Sequence, residues 1–393
     1  MPQDSLPMLQ IPIDLLVDGP TRSETIAAQN AVCFSVPADY EALMAAPGLP
    51  SEVFAIQRLL TLARSGVQIH TIWHTAIAER AAVSVSLFPL LAVLLSLQRA
   101  HHRIEGKSAG EALEFETGAR KAIARYRLTN DLFSLSQIVL CSDSRGQGRP
   151  PDLYDKASGA VARRENFETL VLDVLARQVS TEVQQANTFK NAKALGVIVA
   201  ELFENTDMHG RFDLSGKLLA PDAMRGLAFK RIKIEKPRPR SLEKDAAAEV
   251  LDCMEVQIFD TGLGYYPSYT RKPIESSTSL KEEWQVLHNC LERHYFPDVD
   301  DGRAGHRAMG LTEVLRSVQA LRGRIEVRTG RLYAYRTFMD GDLQAQMEEV
   351  TSRFAHISWP RPRMLDVEKR YVAIPSSHDI MVGTAVRVVV PLS

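Results

Sequence analysis

The sequence predicts an α+β protein in which helices are layered on one face of a mixed sheet. Three observations carry this: two long helical periods, strands of alternating character after them, and one further helix set between strands. The first helical period is Glu165 to Gln185, where Phe167, Leu170, Val171, Val174, Leu175 and Val179 recur at the 3.6-residue period. The second, Thr188 to His209, is closed by Gly210 where a left-handed C-terminal residue is expected. Phe229 to Ile234 and Met254 to Asp260 alternate apolar and polar residues and are predicted as strands. Gly310 to Leu321 is predicted as a helix, Arg324 to Arg328 and Thr384 to Val390 as further strands. Helix, helix, strand, strand, loop, helix, strand, strand is the order of helices packed against one sheet.

A chain of 393 residues is long enough for two or three domains. Polar, glycine- and proline-rich runs at Ser142 to Pro151 and Glu235 to Ser241 read as breaks. The first divides a mixed, helix-rich N-terminal domain, 1–150, from a C-terminal domain, 151–393. In the N-terminal part Ala31 to Val36 and Val67 to Trp73 are predicted strands. Val53 to Arg64 has helical spacing, and Ala81 to Arg103 is predicted as a buried helix kinked at Pro89. No chemical constellation stands out there. His70, His74, His101 and His102 have no thiol or carboxylate at ligand spacing and read as solvated or core histidines.

Forty-seven Lys and Arg against 48 Asp and Glu leave a net charge of −1, which removes the global electrostatic case for a nucleic-acid or membrane-surface protein. A local basic run, Arg225 to Arg240, keeps a nucleic-acid or acidic partner open. It lacks interleaved aromatic residues for base stacking, so a solvated face is the commoner explanation. Four scattered cysteines form no CxxC pair, and the N-terminal residues lack a basic start and apolar core. The longest apolar stretch, Ala81 to Leu97, contains serines and Pro89. The expectation is a soluble, cytoplasmic protein without a membrane span.

Three separated segments carry candidate chemistry. Glu201, Asn205 and His209 fall at successive i, i+4 positions and line one helix face. A carboxylate, an amide and an imidazole on a mainly apolar helix are costly unless they meet a ligand, ion or water, or a polar seam between helices. Asp260 shares a strand face with Met254, Val256 and Ile258, so it points inward where the strand ends, and Gly262 and Gly264 follow it. Gly305 to Leu311 (GHRAMGL) opens a helix, where free backbone N–H groups and the dipole favour a phosphate. The bland readings are an Asp-Gly turn and an ordinary helix start.

ExxxN on a helix, DxGxG after a strand, a glycine loop opening a helix, and a terminal GT strand together resemble the GHKL ATPase superfamily. That group includes gyrase-type topoisomerases, heat-shock chaperones, sensor histidine kinases and mismatch-repair ATPases. The resemblance covers about residues 165–335 and resumes at 383–392. It implies a C-terminal two-layer α/β sandwich, a mixed sheet with helices on one face, binding ATP and Mg²⁺ after an N-terminal sensing or docking domain. Asn205 resembles the metal ligand, and Glu201 the group that activates the attacking water. Asp260 resembles the carboxylate that accepts the adenine amino group, and Gly262 and Gly264 the glycines against which the nucleotide lies. Gly305 and Gly310 resemble the phosphate-loop glycines, with Arg307 and Leu311 in the same loop. Thr384 resembles the strand residue beside the adenine pocket, and His209 with Gly210 the His-Gly ending of kinase-type members.

The chain departs from that pattern at His306 and Ala308, where kinase-type members carry glycines. This puts lid closure and turnover in question more than binding. Residues between Gly330 and Gly383 form a long insertion, about 336–380, where the family has a short turn, and are expected as a docking loop or surface excursion. Residues 165–185 contain no histidine, which argues against an autophosphorylating histidine kinase. The expected function is a Mg-dependent ATPase whose nucleotide state controls assembly with itself or a protein partner. A protein serine kinase acting on a partner and a non-hydrolysing nucleotide-binding module are the alternatives.

Overall fold

The computed structural model describes residues 8–9, 31–35, 51–66, 68–72, 103–105, 136–142, 152–155, 157–178, 182–219, 223–235, 250–291, 310–339, 347–352, 355–362, 364–368 and 375–392. In chain order the elements are β1 (Met8–Leu9), β2 (Ala31–Ser35), α1 (Ser51–Arg64), β3 (Gln68–Ile72), β4 (Arg103–Glu105), β5 (Ser136–Ser142), α2 (Arg164–Gln178) and α3 (Glu182–His209). They continue as β6 (Met224–Glu235), β7 (Val250–Asp260), α4 (Tyr265–Thr270), α5 (Leu280–Leu291), α6 (Gly310–Ala320), β8 (Arg324–Gly330), β9 (Leu332–Thr337), β10 (Met347–Ser352), β11 (Ala355–Pro362), β12 (Leu365–Asp366) and β13 (Met381–Pro391).

The architecture is α+β, built on an open seven-stranded sheet in the order β12-β9-β8-β13-β7-β6-β5. A mixed sheet was expected, yet every ladder in this one is antiparallel. Among the described residues, parallel pairing is found in a second sheet, β1-β2-β3-β4. Period-two alternation sets what each face buries. Met254, Val256 and Ile258 on β7 stand level with Val390, Val388 and Val386 on β13. Together with Ile325, Val327, Leu227 and Phe229 they form one core with α2, α3, α5 and α6. Each such side chain contributes about 1.5–3 kcal/mol by leaving water. From the helix layer come Phe167, Val171 and Leu175 of α2 and Leu195, Ile198, Val199 and Phe203 of α3, all buried. The Phe167 and Phe203 rings meet with centroids 5.9 Å apart.

On the other face a small apolar cluster around Cys253 and Val389 adjoins a buried group of charges. Arg387 of β13 donates from Nε and Nη2 to Glu255 of β7 and from Nη1 to Glu326 of β8, at 2.8, 2.5 and 3.1 Å. Tyr333 Oη donates to Glu326 at 3.0 Å. All three charged groups are buried, so each needs the others to offset lost hydration.

Several boundaries differ from the sequence expectations. The second long helix begins at Glu182 rather than Thr188, and the first ends at Gln178, while Val179 lies outside the described residues. β6 begins at Met224, through Gly226, because a side chain there would collide with the Phe259 ring packed across the ladder. The expected insertion is no simple loop. β9 extends the main sheet beyond β8, β12 pairs with β9, and β10 with β11 makes a separate two-stranded ladder. The edge strand β5 comes from the stretch assigned by sequence to the N-terminal domain and pairs with β6 from Ser136 opposite Lys230 to Ser142 opposite Met224. The predicted helix Ala81–Arg103 lies outside the described residues except at Arg103, which opens β4.

Candidate functional site

The site lies where β7 and β13 end and α3 stops. Asp260 is the last residue of β7 and is level with Thr384 on β13 and Arg225 on β6. Its inward direction follows from the register that buries Met254, Val256 and Ile258, and only 7% of the residue is exposed. The carboxylate accepts the Gly262 N–H at 2.8 Å and the Thr384 N–H. Burial pushes its pKa up to about 7, against the opposing pull of those two N–H groups and of Arg225 and Arg64. A buried carboxyl that holds its proton near neutrality marks this end of the sheet as a candidate binding position.

Backbones crowd around that carboxyl. A side chain on Gly210, just past α3, would run into the Asp260 Cβ and carboxyl carbon at 2.6 and 2.9 Å. One on Gly262 would strike the backbone of Gly210. The helix end and the strand end therefore pack together only because both positions are glycine. Gly264, the other glycine of the motif, sits beneath Thr329 of β8 and Gly383. Thr329 Oγ1 accepts the Tyr265 N–H at 3.1 Å and lies 3.4 Å from Thr384 Oγ1.

The helix residues stand farther along α3. From Gly210 back to Glu201 is about 14 Å at 1.5 Å per residue. Asn205 is half-buried, and its amide makes no hydrogen bond among the described residues. Glu201 is half-buried too, paired with Arg164 at the start of α2 and lying against Gly310, the first residue of α6. A carboxylate at a helix N-terminus is favoured by the macrodipole, so Glu201 has a structural role there. His209 is exposed at the end of α3. Leu311 is half-buried and packs against the core. Gly305 and Arg307, with His306 and Ala308, lie outside the described residues.

The structure thus brings Asp260, Gly262, Gly264 and Thr384 into one cluster and places Asn205 and Glu201 on the helix that runs into it. Sequence reasoning missed Arg64, Thr329 and Arg164, and it read Gly383 only as part of the terminal GT element. Arg64 of α1 donates from Nη1 to the carbonyl of Thr261, a contact across 197 residues of sequence. No local pattern announces such a contact. The basic run at 225–240 is partly spent internally. Arg225 is fully buried against Tyr154 and Asp207, and Arg231 is held by both carboxylate oxygens of Asp252.

Among the described residues no group of three or more His, Cys, Asp or Glu side chains could hold a metal. A Mg²⁺ ion that arrives on phosphates keeps most of its water and needs only one or two protein oxygens. The unpartnered Asn205 amide fits that demand. No helix among the described residues is long and apolar enough to cross a membrane. Comparison of the chain with protein-family models, curated proteins and solved structures returned no match.

Proposed function

We propose that residues 151–393 form a Mg·ATP-binding unit of the GHKL type, a two-layer sandwich whose nucleotide state governs assembly with a protein partner or a second copy. The observation that carries the reading is the convergence of three sequence motifs on one end of the sheet. The buried Asp260 carboxyl sits level with Thr384, and the helix bearing Asn205 and Glu201 ends against it at Gly210. The adenine amino group would donate to Asp260, and the phosphates would run back along α3 toward Asn205 and the N-terminus of α6. Asn205 would hold a phosphate-borne Mg²⁺ through its amide oxygen, and the ion would supply neutralisation of phosphate charge. The chain's own part is positioning: Asp260 orients the base, the glycines admit it, and Asn205 presents an oxygen.

The pairing of Glu201 with Arg164 favours a second reading, a nucleotide switch without turnover, because an ion-paired carboxylate is a weaker proton acceptor. Calorimetry tests the first reading. Wild type should bind Mg·ATP in preference to GTP, Asp260→Asn should lose that preference, and Asn205→Ala should lose the dependence on magnesium. Equal ATP and GTP affinity in wild type, unchanged by Asp260→Asn, would remove Asp260 from the site.

A further inference from the structure

α1 packs on two sheets at once. It is the crossover between the parallel strands β2 and β3, and it also lies against β13. Thr61 Oγ1 accepts the Val382 N–H at 2.9 Å, inside the bulge where β13 slips register between Met381 and Thr384. Arg58 pairs with Asp379 at 3.5 Å, and Arg64 donates from Nη1 to the carbonyl of Thr261. α1 therefore clasps both segments that bracket the Asp260–Thr384 pair. Its docking face is nonetheless poorly satisfied. Gln57 shares that face with Thr61 and Arg64 at helical spacing. It is fully buried, and neither polar atom of its amide has a hydrogen-bond partner among the described residues. Nε and Nη2 of Arg64 are also shielded and without a partner among the described residues, and burial pulls the guanidinium pKa down to about 10. All of these atoms regain water if the helix leaves.

We infer that α1 is an autoinhibitory cover: docked, it holds the Asp260 end of the sheet closed, and a nucleotide base enters only after α1 has lifted away. Asp260 is buried and ringed by the backbones of Gly210, Gly262 and Gly383, so the docked form is the closed one. Of the described elements around it, α1 is the one carried by the other sheet, and it can leave without breaking a ladder of the main sheet. Its release frees Thr261 and the Val382 bulge, where the neighbouring Gly262 and Gly383 let the backbone turn. The idle groups of Gln57 and Arg64 oppose docking and make that release accessible. Apparent affinity is then the intrinsic affinity reduced by the fraction of molecules that are open. The N-terminal part of the chain thereby sets the nucleotide affinity of the C-terminal part.

This inference rests on the nucleotide reading, and one experiment separates their fates. Amide exchange at 261–264 and 379–383 and calorimetric affinity for Mg·ATP are measured on the full chain for wild type, Gln57→Met and Arg58→Glu, with melting temperatures alongside. Gln57→Met replaces the idle amide with an apolar side chain of similar length and should strengthen docking: exchange slows at both segments and ATP binds roughly tenfold more weakly. Arg58→Glu sets a like charge against Asp379 and should do the reverse, with faster exchange and tighter ATP binding. Exchange that shifts as expected with one ATP affinity for all three proteins would overturn the cover while leaving the nucleotide reading intact. Weaker ATP binding in Arg58→Glu with faster exchange would also overturn it, because α1 would then build the site. Unchanged exchange in both variants would show that α1 does not lift, and the inference fails. If Arg58→Glu exchanges faster and still binds no ATP, the nucleotide reading fails and takes the cover with it. Should Arg58→Glu not fold, Gln57→Met decides by the same two readouts.

Discussion

Asp260 is a carboxyl group that the fold keeps out of water and satisfies with backbone N–H groups instead of a touching cation. Its proton is held to about pH 7, whereas the unfolded carboxyl ionises near 3.8. Between those values the native state binds more protons than the unfolded state, so this group's contribution to stability is full below pH 4 and falls as pH rises through 7. Over about three units the loss approaches ~4 kcal/mol at 1.36 kcal/mol per unit, as an upper bound. Urea unfolding of wild type and Asp260→Asn from pH 4.5 to 8 should show wild type losing stability relative to the variant as pH rises. A gap independent of pH would show that Asp260 ionises normally. Glu201 separates an ATPase from a switch. If the protein turns over ATP with Glu201 as the base, Glu201→Gln should keep affinity within a few-fold while phosphate release falls by about 10² or more. Equal release in the two proteins would leave Glu201 as the partner of Arg164 and the α6 N-terminus.

At the scale of elements, the approach of β13 to β7 depends on one backbone conformation. Gly383 has φ +77°, and a Cβ there would press on the carbonyl carbon of Asp260 and the Cα of Thr261, both at 2.7 Å. Gly383→Ala should destabilise the fold by about 1–3 kcal/mol from strain alone, with more from the clash. Equilibrium denaturation checks this, and a midpoint equal to wild type would mean that the turn relaxes freely. The helices and strands that carry the site were legible because each has an apolar face: Met254, Val256 and Ile258 alternate with Glu255 and Gln257, and Val386, Val388 and Val390 stand opposite them. What escaped reading had no such face. Glu182 to Gln185 were assigned to the first helical period although they open α3, because this mostly polar turn has no stripe to place it. Gly226 reads as an interruption, although its missing side chain is the space that Phe259 fills. Within the expected insertion, β9 makes Arg336 and Thr337 buried strand residues despite their polarity.

The whole molecule is less divisible than its sequence. The polar break at 142–151 suggested two independent halves, but the main sheet draws β5 from before it, and α1 closes the end at Asp260. The contact of α1 is testable apart from any ligand. Thr61→Val removes the hydroxyl that receives the Val382 N–H, which should cost about 1–3 kcal/mol. It should also raise amide exchange at 379–383. Unchanged exchange there would mean that α1 does not hold that loop. No motif could have revealed this contact, because residues with helical spacing in the N-terminal part give no sign of which distant carbonyl they meet.

The place of β13 has a consequence for how the protein is made. It lies between β7 and β8, so neither has its inner neighbour until residues 381–391 have been synthesised. Once β9 has emerged from the ribosome, the β6–β7 and β8–β9 pairs are expected as two separate ladders, each with an open hydrogen-bonding edge, until β13 joins them. Such edges are the ones that pair wrongly with other chains. Arg387, arriving last, brings the cation that Glu255 and Glu326 await from either side, and the two halves join in register only when it is in place. Ribosome-bound chains halted before residue 380 should be readily cut by protease within β7 and β8, and chains extended until Pro391 clears the exit tunnel should resist.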